Sequence, residues 1–374
     1  MTDPVVVLAG GGTAGHVNPL LALAEQLRTE VPGIHLPVLG TAEGLEADLV
    51  PAAGLDLTTI EKVPLPRTIT PQWLSLPRRW RRAMASTREL VAGADAVVGF
   101  GGYVSAPAYL AARRANVPIV VHEQNARPGL ANRLGARYAA TVGVTFPGTP
   151  LRGGHVVGLP LRAAITELLA QRSADAAGRA RAGARALGLD PERLTVVVTG
   201  GSLGAARLNQ MLPTVGPELI DAGAQVLHLT GRDKAEPTRA AVAQMEGREH
   251  YHVREYLIQM EHALACADLV IARAGAGTVS ELTALGIPAV YVPLPIGNGE
   301  QALNARPVVT AGGALMVDDA ALTTTWLSEH LLPLVRGEPG RARREQMRAA
   351  ADRAAITDGA QRLATMVIDV LGRR

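Results

Sequence analysis

The sequence predicts an α/β protein with two Rossmann-like domains whose parallel sheets face each other across a cleft. Two observations support this prediction. A β-branched run that ends in glycines and enters an Ala/Leu-rich stretch occurs at residues 5–16, and the same unit recurs at residues 196–205. Apolar strand patterns also alternate with helical patterns along most of the chain, which is typical of parallel sheets with helices on both faces.

The periodicity predicts the elements in order. In the first half, we expect strands at 5–9, 36–39, 96–100, 119–122 and 142–145, with helices at 19–30 and 105–115. In the second half, we expect strands at 195–199, 225–230, 252–255, 269–272 and 289–293. The final stretch, residues 341–371, has the pattern of one or two amphipathic helices that pack back on the first domain.

A Pro/Gly-rich segment at residues 146–154 interrupts this alternation, and a polar helical stretch follows Pro160. Such a break is typical of a domain boundary. We therefore expect an N-terminal domain of residues 1–160, completed by a C-terminal helix within 345–374, and a C-terminal domain of residues 161–344.

Composition narrows the class of protein. The 374 residues suffice for about two or three domains. The single cysteine, Cys266, lies in an apolar stretch and is expected to be a buried, unreactive thiol. No apolar run reaches the roughly 18 to 20 residues of a membrane span, and a strand begins without a preceding signal segment, which favours a cytosolic chain. A net charge of +3 without dense Lys/Arg clustering argues against nucleic acid as a partner.

The glycine turns indicate where ligands bind. Glycine allows the backbone to approach a ligand closely, and the free N–H groups of the following helix attract phosphate or carboxylate. In parallel sheets, ligands collect at the carboxyl ends of the strands. One domain would then hold a donor nucleotide and the other an acceptor. The alternative is that such glycines only tighten a strand-to-helix turn.

The segment 272–281 carries the densest set of candidate binding residues. Arg273 leaves a strand end where it could meet a diphosphate, and Glu281 could hydrogen-bond two ribose hydroxyls from the first turn of a helix. The alternative is a purely structural capping box, with Thr278 as N-cap and Glu281 as its partner.

Two histidine segments suggest chemistry in the first half. His16 follows the first glycine loop at a helix start, where a neutral imidazole is suited to take a proton from an acceptor hydroxyl. A capping or supporting histidine is the alternative. The polar residues 122–125 end a strand, and so polar a terminus is expected to line a pocket.

Several motifs are missing from the sequence. It has no Asp-x-Asp pair, no His/Cys/carboxylate cluster with metal-ligand spacing and no Gly-x-x-x-x-Gly-Lys loop. We therefore expect no metal and no cofactor, and a diphosphate leaving group neutralised by backbone amides, a helix dipole and arginine. The first turn looks like a dinucleotide fingerprint. However, the acidic residue expected at the end of the next strand is not there, because the strand at 36–39 leads into Gly40, Thr41 and Ala42 before Glu43.

A basic and aromatic segment spans residues 71–84. It contains Trp73, Trp80, Arg78, Arg79, Arg81 and Arg82. Indoles and arginines together suit the headgroup region of an anionic lipid surface. The alternative is a solvated basic helix whose tryptophans pack inward.

Taken together, these motifs resemble the MurG family of N-acetylglucosaminyltransferases of peptidoglycan synthesis, which have the GT-B fold. The matching segments run in the family's order along nearly the whole chain: 11–17, 40–51, 101–105, 122–125, 146–148, 200–202, 273–276, 278–281, and Gln301 with Asn304 and Ala305. The sequence departs from the family's usual residues at Ala14, Leu159 and Leu203.

The resemblance implies inverting transfer of N-acetylglucosamine from UDP-N-acetylglucosamine to the 4-hydroxyl of the muramoyl sugar of lipid I, which gives lipid II. The implied partners are these two substrates, the cytoplasmic face of the membrane and other cell-wall synthesis proteins.

The resemblance also assigns roles to residues by position. It implies His16 as the general base, with Glu123 as the second candidate. The implied acceptor residues are Thr13, His16, Tyr103 and Asn125. The implied donor residues are Thr13, Gly15, Arg162, Ser202, Tyr256, Leu257, Met260, Arg273, Thr278, Glu281, Glu300 and Gln301.

Other functions fit parts of the same pattern. A GT-B enzyme with another glycolipid acceptor, or a sugar-nucleotide epimerase, would share the donor half. A nicotinamide-dependent oxidoreductase would bind NAD instead of UDP. A non-catalytic scaffold would bind a UDP-sugar without releasing UDP.

Overall fold

The computed structural model describes residues 3–61, 76–201 and 204–373. It divides the chain into two compact units. The first contains residues 1–162 and 356–374, and the second contains residues 163–355. Each unit consists of a parallel β-sheet covered by helices.

The first unit has a seven-stranded sheet with strand order β3-β2-β1-β4-β5-β6-β7. Its strands are β1 (Val6–Ala9), β2 (Val38–Gly40), β3 (Leu57–Thr59), β4 (Ala96–Gly99), β5 (Ile119–Glu123), β6 (Thr141–Val144) and β7 (Gly154–Val156). Its helices are α1 (Ala14–Glu30), α2 (Glu46–Ala52), α3 (Leu76–Val91), α4 (Ser105–Ala115), α5 (Leu130–Gly135) and α16 (Gly359–Leu371).

The register of this sheet brings the glycine loops together. Ala9, the last residue of β1, lies opposite Leu39 on one side and Gly99 on the other. The carboxyl ends of β1, β2 and β4 therefore lie at one edge of the sheet, where the loops 10–13, 41–45 and 100–104 begin. The first candidate site is built at this edge.

Successive residues of β1 lie in two different hydrophobic clusters, one on each face of the sheet. Val7 is buried in a cluster with residues of α3 and α4, whereas Leu8 is buried with residues of α1 and α16 on the other face. The last helix contributes four buried residues to that second cluster: Leu363, Ala364, Val367 and Val370. The end of the chain thus forms part of the first unit.

The second unit has a six-stranded sheet with strand order β10-β9-β8-β11-β12-β13. Its strands are β8 (Leu194–Thr199), β9 (Ala224–Leu229), β10 (Tyr251–Arg254), β11 (Leu269–Ala272), β12 (Ala289–Tyr291) and β13 (Ala314–Met316). Its helices are α6 (Ala163–Ala186), α7 (Ala206–Met211), α8 (Gly216–Asp221), α9 (Glu236–Ala243), α10 (Met260–Cys266), α11 (Ala276–Ala284), α12 (Glu300–Thr310), α13 (Thr324–Trp326), α14 (Leu332–Val335) and α15 (Gly337–Ala354).

The chain returns to the first unit at residue 356, whereas the sequence predicted this return at residue 345. The reason is α15, whose Met347 is fully buried in the core of the second unit. Near its end, Ala351 packs directly against Gly313 at the start of β13. The boundary between the two units lies at residues 162 and 163.

Two other differences from the expected elements have simple causes. Helix α1 begins at Ala14 and contains Pro19, which the periodicity placed at the helix start. Pro19 has no backbone N–H to donate to the carbonyl of Gly15, four residues earlier. Because Gly15 is exposed, water can hydrogen-bond to that carbonyl instead. The sequence did not predict the edge strands β3, β7 and β13. They are as short as β2 and β12 but are not fully buried, so they lack the continuous apolar run by which those two were predicted.

None of the helices in the described ranges combines the length and the apolar character that a membrane span requires.

Candidate functional site

The loop after β1 is held by a buried carboxylate. Glu46 is fully buried and accepts hydrogen bonds from the backbone N–H of Gly12 (2.8 Å) and of Thr41 (2.9 Å), and from the Thr41 hydroxyl (2.7 Å). Burial by itself would raise the pKa of the Glu46 carboxyl, but these donors outweigh it and hold the pKa below its usual value. An ionised Glu46 therefore fixes the glycine loop. Sequence reasoning gave this residue no role.

His16 lies at the third position of α1, next to this loop. Its Nδ1 is 3.0 Å from the hydroxyl of Thr13, the N-cap residue. Burial lowers the pKa of the His16 imidazole, and the Gly11 carbonyl and the charge of Glu46 only partly oppose that shift. The ring is therefore neutral near neutral pH, as a proton acceptor must be.

The neighbouring loop after β4 makes room for this imidazole. Gly101 and Gly102 both have positive φ, +89° and +75°. A Cβ at Gly102 would lie 2.8 Å from the Gly11 carbonyl, and one at Gly101 would lie 3.3 Å from Nε2 of His16. The conformation therefore favours glycine at both positions, and at Gly102 a Cβ would also be too close to the backbone of Gly11. Tyr103, in the same loop, is half-buried and packs against the core cluster of β1 and α4.

Glu123 does not have the surroundings of a free base. It ends β5, is buried, and its two oxygens accept hydrogen bonds from the backbone of Asn125 (2.9 Å) and Gly129 (3.0 Å) and from the Asn132 amide (2.9 Å). Burial raises the pKa of the Glu123 carboxyl, and these donors only partly counter the rise. Its geometry is that of a residue that shapes the loop carrying Asn125.

The preceding residue, His122, is a core residue. It is fully buried, and its Nε2 lies 3.0 Å from the carbonyl oxygen of Gly158. Burial lowers the pKa of His122 to about 4. The polar strand end therefore serves mainly to fix loops, and only Asn125, which is half-buried, keeps part of its surface exposed.

In the second unit, the glycine turn after β8 is only partly described. Ser202 and Leu203 lie outside the described residues. Gly201 and Gly204 have positive φ, and a Cβ at Gly204 would overlap the carbonyl of Thr230. The turn thus requires glycine at both of these positions.

The loop after β11 differs from its expected form. Helix α11 begins at Ala276 with Gly275 as N-cap, so Thr278 is not the cap and Glu281 lies in the second turn. The alternative of a capping box formed by Thr278 and Glu281 is therefore wrong, and so is the placement of Glu281 in the first turn. Thr278 and Glu281 lie one turn apart and are both half-buried.

Two residues of α12 clamp that loop. Gln301 Oε1 accepts hydrogen bonds from the backbone N–H of Ala274 (3.1 Å) and of Leu294 (3.0 Å). One turn later, the buried Asn304 amide donates to the Ala274 carbonyl (3.2 Å). Both backbone groups of Ala274 are thereby paired. Because its Oε1 is already occupied, Gln301 can offer a ligand only its Nε2 as a donor. Glu300 begins the same helix; it is half-buried and lies beside Gly297.

Arg273 points into the protein, contrary to the expected contact with a diphosphate. Its Nη1 donates to the carbonyls of Val292 (3.0 Å) and Pro293 (3.1 Å) and forms a 2.5 Å ion pair with Asp319. The side chains of this pair are 11% and 18% exposed. The guanidinium charge is therefore neutralised internally, and Arg273 joins the loop after β12 to the 3-10 turn at Asp319–Ala321.

The end of β10 presents an apolar surface. Tyr256 and Ile258 are 46% and 89% exposed, and the guanidinium of Arg232 lies 5.0 Å from the centre of the Tyr256 ring. Leu257 and Met260 are half-buried beside them. A flat ligand group could stack on such a surface. The remaining expected donor residues, Thr13, Gly15 and Arg162, belong to the first unit; the first two are exposed and Arg162 is half-buried.

Within the described ranges, no group of three or more His, Cys, Asp or Glu side chains is arranged to hold a metal ion.

Comparison with known proteins identifies the family. Residues 6–144 match the glycosyltransferase family 28 N-terminal domain, and residues 195–363 match the family 28 C-terminal domain. The chain belongs to glycosyltransferase family 28. The transferase is 51% identical over 375 residues to a UDP-N-acetylglucosamine–N-acetylmuramyl-(pentapeptide) pyrophosphoryl-undecaprenol N-acetylglucosamine transferase of Clavibacter sepedonicus, covering 99% of this chain and 97% of the relative.

A second relative with the same name, from Streptomyces coelicolor, is 53% identical over 350 residues, covering 93% of each chain. The crystal structure of Acinetobacter baumannii MurG matches with a TM-score of 0.76 and 28% identity, covering 98% of this chain and 99% of that one. These findings confirm the MurG family, the two parallel-sheet domains of GT-B type and an N-acetylglucosaminyltransferase function.

The transferase's basic helix α3 is only partly as expected. Trp80 is half-buried and packs against the core, while Arg79 pairs with Glu61 at 2.6 Å. Arg78, Arg81 and Arg82 are exposed. Trp73 lies outside the described residues. The structure therefore supports a basic surface on α3 and not an exposed tryptophan at Trp80.

The buried ion pair gives a test of the loop geometry. Replacing Asp319 with Ala leaves the Arg273 guanidinium buried and unpaired, which should lower the free energy of unfolding by about 3 kcal/mol. Urea unfolding monitored by circular dichroism measures the change. Glu338→Ala, which removes the partner of the exposed Arg341, is the matched control and should leave stability nearly unchanged. An equal effect of both substitutions would show that the buried pair has no special role.

Proposed function

We propose that this transferase moves N-acetylglucosamine from UDP-N-acetylglucosamine to the 4-hydroxyl of the muramoyl sugar of lipid I, forming lipid II. The observation that carries the proposal is that relatives named for this transfer share about half of their residues with nearly the whole chain. The neutral imidazole of His16, which lies beside two glycines with positive φ, supplies the proton acceptor that such a transfer needs.

His16 is the proposed general base. Its neutral imidazole takes the proton of the acceptor hydroxyl while the oxygen attacks the anomeric carbon of the donor sugar. As the new C–O bond forms, the bond from that carbon to the UDP oxygen breaks on the opposite face. The products are an inverted glycosidic linkage, UDP and a protonated His16, which returns its proton to water. Thr13, Tyr103 and Asn125 are the proposed acceptor contacts.

The donor is proposed to bind at the carboxyl edge of the second unit's sheet. Glu281 would accept hydrogen bonds from the ribose hydroxyls, and the base would stack beside Tyr256, with Leu257 and Met260 around it. Glu300 and the Nε2 of Gln301 would hold the sugar hydroxyls. Ser202 and Thr278, with the backbone amides of these loops, would meet the diphosphate.

The leaving group is proposed to be stabilised without a metal ion. The small residues Gly275, Ala276 and Gly277 open the first turn of α11, and no atom lies within 4 Å of a Cβ placed on Gly277. Backbone N–H groups and the helix dipole can then approach the diphosphate closely. Arg273 contributes by fixing the loop after β12, since its own charge is already paired.

The acceptor is a lipid, so we also propose that the chain works at the cytoplasmic face of the membrane. The exposed arginines of α3, Arg78, Arg81 and Arg82, are the proposed contacts to anionic headgroups. Other cell-wall synthesis proteins are proposed as further partners.

Substitution of His16 tests the base. His16→Ala should lower turnover by roughly 100-fold or more, measured as acceptor-dependent UDP release, because proton removal loses its catalyst. His35→Ala, at an exposed histidine, is the control and should leave turnover unchanged. Since burial lowers the pKa of His16, the wild-type kcat/KM should fall on the acid side only below about pH 6.5. Near-normal turnover of His16→Ala would refute the assignment.

Charge reversal tests the membrane surface. The double variant Arg78→Glu/Arg82→Glu should cosediment less with vesicles containing anionic lipid, because attraction to the headgroups is replaced by repulsion. Arg185→Glu/Arg343→Glu carries the same charge change at exposed residues of α6 and α15. If both double variants bind vesicles equally well, α3 is not the membrane contact.

A further inference from the structure

The second unit contains a cavity at the edge of its sheet opposite the candidate donor loops. It is lined by residues 191–195 at the start of β8, by Asp268 just before β11 and by Ile287 before β12. Helices α6 and α15 close its sides, and its volume is about 500 Å³. This volume is in the range of small-molecule sites. The proposed reaction uses none of these residues.

The charge of the lining is strongly positive. Five arginines line the cavity against two carboxylates: Arg172, Arg179, Arg193, Arg344 and Arg348 against Glu192 and Asp268. Neither carboxylate is fully available to them, because Asp268 accepts a hydrogen bond from the Thr195 backbone (2.9 Å) and Glu192 pairs with Arg181 (3.5 Å). Arg172 is paired with Asp352, which lies outside the lining (3.2 Å). The other four arginines still outnumber the two carboxylates, so the cavity holds more cationic than anionic charge.

Part of this charge is incompletely paired. The Nε atoms of Arg179 and Arg193 are buried and have no hydrogen-bond partner in the described part of the chain. Burial also lowers the pKa of Arg344, so its charged form is destabilised where it stands. Buried donors without acceptors cost free energy, which an anionic ligand would recover.

A break in α6 adds to the positive electrostatic potential of the cavity. Asp175 has non-helical backbone angles, φ −154° and ψ 81°, and its carboxylate accepts a hydrogen bond from Gly178 N–H (2.8 Å). A second helical segment therefore starts after Asp175, and its first residues, Ala176 and Ala177, line the cavity. The positive end of that segment faces the same space as the arginines.

We propose that this cavity binds a small soluble anion with at least two negative charges, of the diphosphate class. The arginines supply charge-assisted donors for its oxygens. The alanine and leucine walls, including Ala180, Ala184 and Leu264, leave room for an apolar part of the same molecule. This anion site is separate from the donor loops, which lie at the other edge of the sheet.

Calorimetric titration with inorganic pyrophosphate tests the proposal. The titration is done with and without saturating UDP-N-acetylglucosamine, and the pyrophosphate affinity should be the same in both. The variant Arg179→Gln/Arg348→Gln should bind at least about tenfold more weakly, since two charged donors are lost. Arg185→Gln/Arg343→Gln removes the same charge from exposed residues of the same two helices, outside the lining, and should bind like the wild type.

Three results would overturn the proposal: no binding by the wild type below about 10 mM, equal weakening in both double variants, or loss of pyrophosphate binding when the donor is present. The last result would place the anion in the donor site. Melting temperatures verify that the variants are folded. If the first double variant is not folded, Arg348→Gln alone, at an exposed residue, should still weaken binding about threefold.

Discussion

The structure depends on pairing the backbone groups of the loops that follow the strands. A buried N–H without an acceptor costs about 1 to 3 kcal/mol, so a loop that lies inside a site needs partners from elsewhere. In the first unit, the Glu46 carboxylate provides them for Gly12 and Thr41. In the second, Gln301 and Asn304 together pair both backbone groups of one residue. Each loop is thereby fixed before a substrate arrives.

The proposed role of His16 as a base depends on these fixed loops. The ring of His16 lies against two glycines with positive φ, where a larger residue would be strained, and burial lowers the pKa of the imidazole. Pre-organisation of this kind means that little reorganisation is needed at the moment of proton transfer. The other buried charges serve the same framework: Glu123 shapes the loop around Asn125, and Asp319 neutralises Arg273. Their roles are in positioning.

Much of this could be predicted from the sequence. Long apolar strands and glycine turns follow from periodicity and from the conformations that only glycine tolerates, so both sheets and their loop edges were expected. Three-residue edge strands leave no such pattern. The direction in which a side chain points also cannot be predicted from the sequence. Nothing in the order of residues shows that Arg273 turns inward towards Asp319, which lies 46 positions later. Glu46 was missed because two of its three donors are backbone amides, which nearly every residue carries.

In the proposed reaction, one sugar passes to a lipid-linked acceptor with a neutral histidine as the base and without a metal ion. The most direct measurement is the mass of the product formed from UDP-N-acetylglucosamine and a short-chain lipid I analogue in the presence of EDTA. We expect the mass to increase by one N-acetylhexosamine residue, with one UDP released for each residue transferred. UDP release without acceptor, or no product in EDTA that reappears on adding a divalent cation, would contradict it.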